Sequence, residues 1–220
     1  MFTYSGIFVS IENDNAPTLV DIAVQTGRIT RFAGATNRWW TVLHHHLAAG
    51  LLVQYQLEET DPQFYETQLA AYLHDAHEAI TSDIPRDWKP PEVNDYQRKL
   101  DVRIYKSLNM PPPTHEVHLT VKAVDNALLV AEASQIAADG ITRHPEIVEL
   151  KKQLWPIIPL AMSAVYEVRQ RYKNPSNTLS ENAKAVQDYI TYVSYLIHKL
   201  DQKYNDANTI KSEREIVNTS

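Results

Sequence analysis

Apolar residues recur every three or four positions through most of this chain, a periodicity that commits it to helices buried against one another. Val93, Tyr96, Leu100, Ile104 and Leu108 stand 3, 4, 4 and 4 residues apart, which lines one face of a helix and leaves the rest to water. The same reading predicts helices over 41–56 through Leu43, Leu47 and Leu51, and over 69–80 through Leu69, Leu73, Ala76 and Ile80. It predicts two more over 115–136, through Val117, Val121, Val124 and Leu128, and over 179–204, through Ala183, Val186, Ile190, Val193, Ile197 and Leu200. Residues 143–172 read as helical with an interruption at Pro156, and Thr18 is placed to cap a shorter helix stopping at Gly27. Lys89-Pro90-Pro91 and Met110-Pro111-Pro112-Pro113 break the pattern, because proline lacks a donor and restricts the residue before it. Asn174-Pro175-Ser176-Asn177 reads as a loop, and the polar tail from Asn205 is expected to fray. The start is different: residues 1–11 are β-branched and aromatic around Gly6, so a short strand or hairpin is expected there. The expected fold is all-α, a helical bundle with a short N-terminal β segment and a C-terminal helical extension.

Chemistry-bearing residues sit within these helices. Tyr72-Leu73-His74-Asp75-Ala76-His77-Glu78-Ala79 sets an imidazole beside a carboxylate, with Glu78 one turn beyond His74. A neutral imidazole and a carboxylate make a compact pair of ligands for a divalent ion, and Glu78 is placed to reach a water or substrate atom nearby. Upstream, His44, His45 and His46 lie inside the 41–56 helix. Consecutive helical residues point about 100° apart, so all three cannot bind one ion, and the others are expected to be surface or supporting imidazoles. Downstream, Asp125 falls within Val121-Lys122-Ala123-Val124-Asp125-Asn126-Ala127-Leu128, where a carboxylate is costly to bury unless paired or metal-bound. A His, a His-Asp pair and an Asp, on separate helices, can converge on one ion in a bundle. Two His and two Asp favour a first-row divalent ion such as Zn²⁺, Mn²⁺, Fe²⁺, Co²⁺ or Ni²⁺ over a hard, oxygen-only ion.

Other chemistries are excluded by what is missing. The chain has no cysteine, hence no disulfide, thiolate site or Cys nucleophile. His77-Glu78 is followed at position 81 by Thr81, where a zincin needs its second His. Only five glycines occur, with no phosphate-binding Gly-rich loop and no Gly-flanked serine elbow. A net charge of −6 argues against a nucleic-acid polymer as partner, since phosphate backbones select basic surfaces, and Tyr189, Tyr192, Tyr195 and Tyr204 accordingly read as packing. Small phosphorylated ligands remain open, held locally by Arg, Lys and metal. No 18-residue apolar run and no signal-peptide pattern are present, so no membrane partner and a soluble, cytoplasmic protein are expected.

The order His45, His74-Asp75, Asp125 and its flanking residues resemble the HD-domain phosphohydrolase superfamily. Within it, the chain is similar to the bacterial 5'-deoxynucleotidases and to the phage enzymes that hydrolyse deoxynucleoside triphosphates. The resemblance is carried by Leu73-His74-Asp75-Ala76-x-Glu78-Ala79-x-x-x-Asp83-Ile84-Pro85, by Lys89, and by Arg31-Phe32-Ala33-Gly34 leading to Trp40-Thr41-Val42 and His45. It covers about residues 1–135, so the chain reads as one domain, 1–220, with a metal-site core to about 135 and a helical extension over about 136–220. The resemblance implies His45, rather than its two neighbours, as the ligand beside His74, Asp75 and Asp125. It implies Glu78 and Asp83 as the residues that orient water or relay a proton. Arg31 and Lys89 would neutralise substrate phosphate, and Trp40 would lie against base or sugar. The implied reaction is hydrolysis of a 5'-deoxynucleotide at the α-phosphorus, a triphosphate ahead of a monophosphate, with a second divalent ion possible on the phosphates. A catalytically silent nucleotide-binding module shares the fold and is the alternative. The long apolar stripe of 179–204 further predicts a homo-oligomer.

Overall fold

The structure is a computed structural model that describes residues 1–138, 140–172 and 178–218, with side chains through 138, over 140–172 and over 182–206. The loop expected at 174–177 lies outside the described residues. Helices α1 (Leu19–Thr26), α2 (Val42–Gln56), α3 (Phe64–Leu73), α4 (Glu78–Thr81), α5 (Pro91–Ser107), α6 (His115–Gln135), α7 (Pro145–Gln153), α8 (Ile158–Arg171) and α9 (Thr178–Asn218) are joined by short connections. Three of these connections contain a single 3₁₀ turn, at Arg31–Gly34, Arg86–Trp88 and Ile141–Arg143.

Local signals explain where the helices start. Thr18 and Asp21 form a reciprocal capping box on α1. Thr114 accepts from the Val117 amide at the start of α6, and Pro91 and Pro145 occupy the first turns of α5 and α7, where a missing donor costs nothing. At α2 the cap is a histidine: His44 Nδ1 lies 3.2 Å from the Thr41 amide nitrogen and 2.8 Å from its hydroxyl.

Helix α2 is the axis of the bundle. Every residue from Val42 to Gly50 is buried, and α3, α6, α8 and α9 all pack on it. The α2–α3 approach is close because position 50 is glycine, where a Cβ would lie 2.1 Å from the Tyr72 ring. From the far side, the Tyr189 hydroxyl of α9 donates to the Tyr72 carbonyl at 2.8 Å, fastening the last helix to the end of α3. No helix among the described residues is long and apolar enough to cross a membrane.

Three expectations need correction. The N-terminal β segment does not form: among the described residues there is no strand, and residues 1–11 make only an isolated Phe2–Phe8 bridge around Gly6. The segment folds back on itself, with the Thr3 amide bonding the Ile7 carbonyl and the Val9 amide the Met1 carbonyl, but the pairing stops there, since Asn13 and Asn15 donate to the Phe8 carbonyl and the Ser5 amide donates to Asp21. The ladder is therefore one bridge long and no strand extends from it. The single helix expected over 69–80 is two. Between α3 and α4 the amides of Ala76, Glu78, Ala79 and Ile80 bond three residues back, a tighter winding that re-aims successive side chains by about 120° rather than 100°. The tail expected to fray from Asn205 continues as α9 to Asn218.

Candidate metal centre

Four of the sequence-predicted residues meet at one point. His45 comes from the first turn of α2, His74 and Asp75 from the tight turn after α3, and Asp125 from the middle of α6; one ligand atom from each lies within 4.8 Å of all the others. The two Nε2 atoms are 3.0 Å apart. Asp125 Oδ1 is 3.4 Å from His45 Nε2 and 3.8 Å from His74 Nε2, and Asp75 Oδ2 is 3.3 Å from His74 Nε2 and 4.0 Å from His45 Nε2.

The other nitrogen of each ring decides what this cluster can hold. His74 Nδ1 donates to the Ala71 carbonyl at 2.8 Å, an acceptor only, so the proton is on Nδ1. His45 Nδ1 donates to the Glu132 carboxylate at 2.7 Å. Both Nε2 lone pairs therefore point into the same space, with two carboxylates beside them, and the arrangement requires a cation. With metal–ligand distances of about 2.0–2.2 Å, neighbouring donors stand roughly 3–3.5 Å apart and opposed ones roughly 4 Å. The observed separations span that range, so the residues fit a divalent ion. A proton serves the same end when no metal is present. Burial opposes charge on His74, but Asp75 and Asp125 outweigh it and raise its pKa well above the usual imidazole range. Burial likewise opposes ionisation of the two aspartates, yet His74 holds Asp75, and His45 with His74 holds Asp125, well below the usual carboxylate range.

Glu132, absent from the sequence reading, organises the ring behind the cluster. It is fully buried on α6, two turns after Asp125, and accepts from His45 Nδ1, from Arg31 Nε at 2.9 Å and from Trp40 Nε1 at 3.0 Å. Burial would raise its pKa, yet Arg31 and His45 lower it. A carboxylate on the outer nitrogen of a ligating histidine fixes its tautomer and raises its basicity. The one sequence signal was Glu132 seven residues after Asp125, the same face of one helix.

Arg31, Glu78, Asp83 and Lys89 line a cavity of about 440 Å³ on the polar side of the cluster, together with Asp75 and Asp125. Arg31 is presented by an unusual backbone: Phe32 and Ala33 both hold positive φ, 55° and 50°, followed by Gly34 at 81°. Such left-handed non-glycine residues cost about 1–3 kcal/mol each, and here they turn the chain so that Arg31 reaches Glu132 and comes within 3.8 Å of Asp75. Glu78 is buried with Oε2 unpartnered. Burial, then Asp75 and Asp83, raise its pKa well above the usual value; burial, against the pull of Arg31, also raises Asp83. Lys89 bonds Gln97 at 3.1 Å from the wall. Lys122, also missed, pairs with Asp125 Oδ2 at 2.8 Å and borders both this cavity and a second one of about 460 Å³.

Trp40 stands apart from both cavities, which corrects the expectation that it touches substrate. It is 2% exposed, its N–H is spent on Glu132, and its ring lies over His44; Trp88, 81% exposed, borders the polar cavity instead. His44 and His46 are not surface residues. Burial lowers the His44 pKa to about 4, and burial together with His74 holds that of His46 well below the usual imidazole range, so both stay neutral. His44 is the α2 cap, and His46 stacks on Tyr189.

No family model matches the chain. It is 29% identical over 187 residues to the uncharacterized protein YfdR of Escherichia coli (strain K12), covering 83% of this chain and 96% of that protein. Among solved structures it is similar to the cyanophage S-2L HD phosphohydrolase DatZ bound to dA and one catalytic Zn²⁺ ion. That likeness has 17% identity, 84% of this chain and 99% of the other covered, and a TM-score of 0.45.

Proposed function

We propose that this chain is a metal-dependent phosphohydrolase of the HD type, acting on 5'-deoxynucleotides at the α-phosphorus and releasing the deoxynucleoside. The observation that carries the reading is the meeting of His45, His74, Asp75 and Asp125 with both Nε2 lone pairs turned inward. These four would hold a first-row divalent ion, which when bound polarises a phosphoryl oxygen and makes water a better nucleophile near neutral pH.

The remaining steps belong to side chains. Arg31, Lys89 and Lys122 border one cavity with the cluster, where fixed cations offset charge that builds on phosphate oxygens in the transition state. Asp83 faces the same space and takes the proton of the attacking water. As the water oxygen bonds to the α-phosphorus, the bond from phosphorus to O5' breaks, and Glu78, biased toward its protonated form, delivers a proton to O5'. Lys89, with Arg31 and Lys122 even though these two also pair with Glu132 and Asp125, favours a deoxynucleoside triphosphate, with triphosphate as the second product and a second divalent ion that would supply further positive charge. A specific observation supports the monophosphate as second reading: Arg86, a fourth cation at the rim, is already paired with Glu146, and Asp87 adds negative charge there. The silent-module reading is weakened by the retention of both Glu78 and Asp83.

Metal content of purified protein, followed by product analysis on the four dNTPs and dNMPs with Zn²⁺, Mn²⁺, Co²⁺ and Ni²⁺, tests this. About one ion per chain is expected, together with free deoxynucleoside. A dNMP plus pyrophosphate as sole products would overturn the site of cleavage, and turnover of dNMPs alone would replace the triphosphate reading.

A further inference from the structure

The second cavity, of about 460 Å³, shares Asp75, Lys122 and Asp125 with the polar one but is otherwise walled largely by Leu73, Val102, Tyr105, Val121 and the Pro112-Pro113 pair. Phosphate and nucleoside ask for these two surfaces, charged on one side of the cluster and apolar on the other. His115 and His118 also border this side, and one carboxylate stands on it. Asp101, on α5, borders this cavity close to His74 and Asp75, and its Oδ1 accepts from His77 Nδ1 at 2.8 Å. His77 is buried and belongs to the tight turn that carries the His-Asp pair, so the turn that sets two candidate ligands also sets Asp101. Among the described residues, Asp101 Oδ2 accepts no hydrogen bond.

We infer that Asp101, oriented by His77, is a specificity-determining residue that accepts a hydrogen bond from the 3'-hydroxyl of the substrate's deoxyribose. This rests on the proposed nucleotide hydrolysis. An ionised carboxylate is an acceptor only, so its natural partner in an apolar pocket is a hydroxyl or amide donor. On a nucleotide whose 5'-phosphate lies at the cluster, the sugar is the next group along, and the 3'-hydroxyl is the donor a 2'-deoxyribose offers. A site built to bond a substrate hydroxyl rejects the analogue lacking it more strongly than a purely apolar pocket can. His77 acts through Asp101 and is a positioning residue.

The test compares kcat/KM for each of the four dNTPs and dNMPs with that for its 2',3'-dideoxy counterpart, using the metal-loaded full chain. The wild-type protein is expected to favour the 3'-hydroxyl by about tenfold or more. Asp101→Ala should lower kcat/KM for the deoxynucleotide at least tenfold more than for the dideoxynucleotide, and His77→Gln should reduce the same ratio by a smaller factor. Asp101→Asn, nearly isosteric, provides the comparison where the alanine variant fails to fold. Equal turnover of both sugars by wild-type protein overturns the inference while leaving the proposed hydrolysis intact. Equal losses on both sugars in every folded Asp101 variant overturn it as well. No nucleotide turnover by metal-loaded wild type removes the functional reading, and this inference with it.

Discussion

Replacing Glu132 with Gln tests how much of the metal centre is held from behind. The carboxylate is fully buried and serves three donors, His45 Nδ1 at 2.7 Å, Arg31 Nε at 2.9 Å and Trp40 Nε1 at 3.0 Å. An amide of the same shape keeps one acceptor oxygen, carries no charge, and turns an NH₂ toward at least one of those donors. The guanidinium of Arg31 then keeps its charge in a buried site, with Asp83, Asp75 at 3.8 Å and Asp125 as the remaining counter-charges. Leaving one half of a buried ion pair costs about 3–5 kcal/mol. For a chain of this size that lowers the melting temperature by at least roughly 6 °C, at about 2–4 °C per kcal/mol. The ring of His45 also loses the carboxylate that fixes its tautomer, which lowers metal affinity by about 10–100-fold. Thermal unfolding with saturating metal and with chelator separates the two effects, because the chelated protein reports the ion pair alone. Trp40→Phe removes a neutral donor, costing about 1 kcal/mol, together with part of a buried ring, which adds a cavity cost, but it leaves both buried charges paired. A Glu132→Gln protein that melts within 2 °C of wild type in chelator and competes for metal equally well would refute the account of this network.

Three further outcomes follow from the geometry. Glu78→Gln should keep the fold and the metal while lowering kcat by roughly 10²-fold, since Glu78 carries a proton and is not needed as a ligand; loss of metal on elemental analysis would make it a ligand. Gly50→Ala should cost about 1–3 kcal/mol of overpacking by urea denaturation, because the added methyl meets the Tyr72 ring. Asp21→Asn should cost about 1.5–3 kcal/mol near neutral pH. Burial raises the Asp21 pKa, but bonds from Thr18 and Ser5 win and lower it. A depressed folded pKa means the contribution is present above the unfolded value of about 4 and is lost as pH falls through the folded one. The gap between wild type and variant should therefore close in acid, and a gap that is constant down to pH 2 would contradict this.

The helices were legible because their cause is local. Periodicity and proline placement located α5 and α6 almost to their ends, and Thr18 and Gly27 bracket α1 as read. The resemblance implied His45 beside His74, Asp75 and Asp125, whereas helical spacing alone left His44, His45 and His46 open; these four lie together in the structure. What escaped depends on contacts distant in sequence. Glu132 sits between two alanines and reads as an ordinary helical charge until Arg31, 101 residues away, reaches it. Trp40 looked like a substrate platform because nothing local says which way the indole N–H points. The split between α3 and α4 has no proline or glycine to announce it. It is visible only in amides that bond three residues back. Residues 1–11 have strand composition without a strand, because their self-pairing ends after the single Phe2–Phe8 bridge.

The bond from the Tyr189 hydroxyl to the Tyr72 carbonyl bears on how the site comes into being. The chain leaves the ribosome in order, and its four candidate ligands are complete at residue 125, whereas the residue that fastens the end of α3 is made at 189. At about 5–20 residues per second the interval is several seconds. During it, the nascent chain owns two imidazoles and two carboxylates but not the clamp that fixes their spacing. Discrimination among first-row ions rests on geometry more than on intrinsic affinity, which favours copper over the others. An ion captured early is chosen by abundance, and one captured after α9 docks is chosen by shape. Docking of the last helix, remote from the candidate ligands in sequence, is thus the step that fastens the end of α3 beside them.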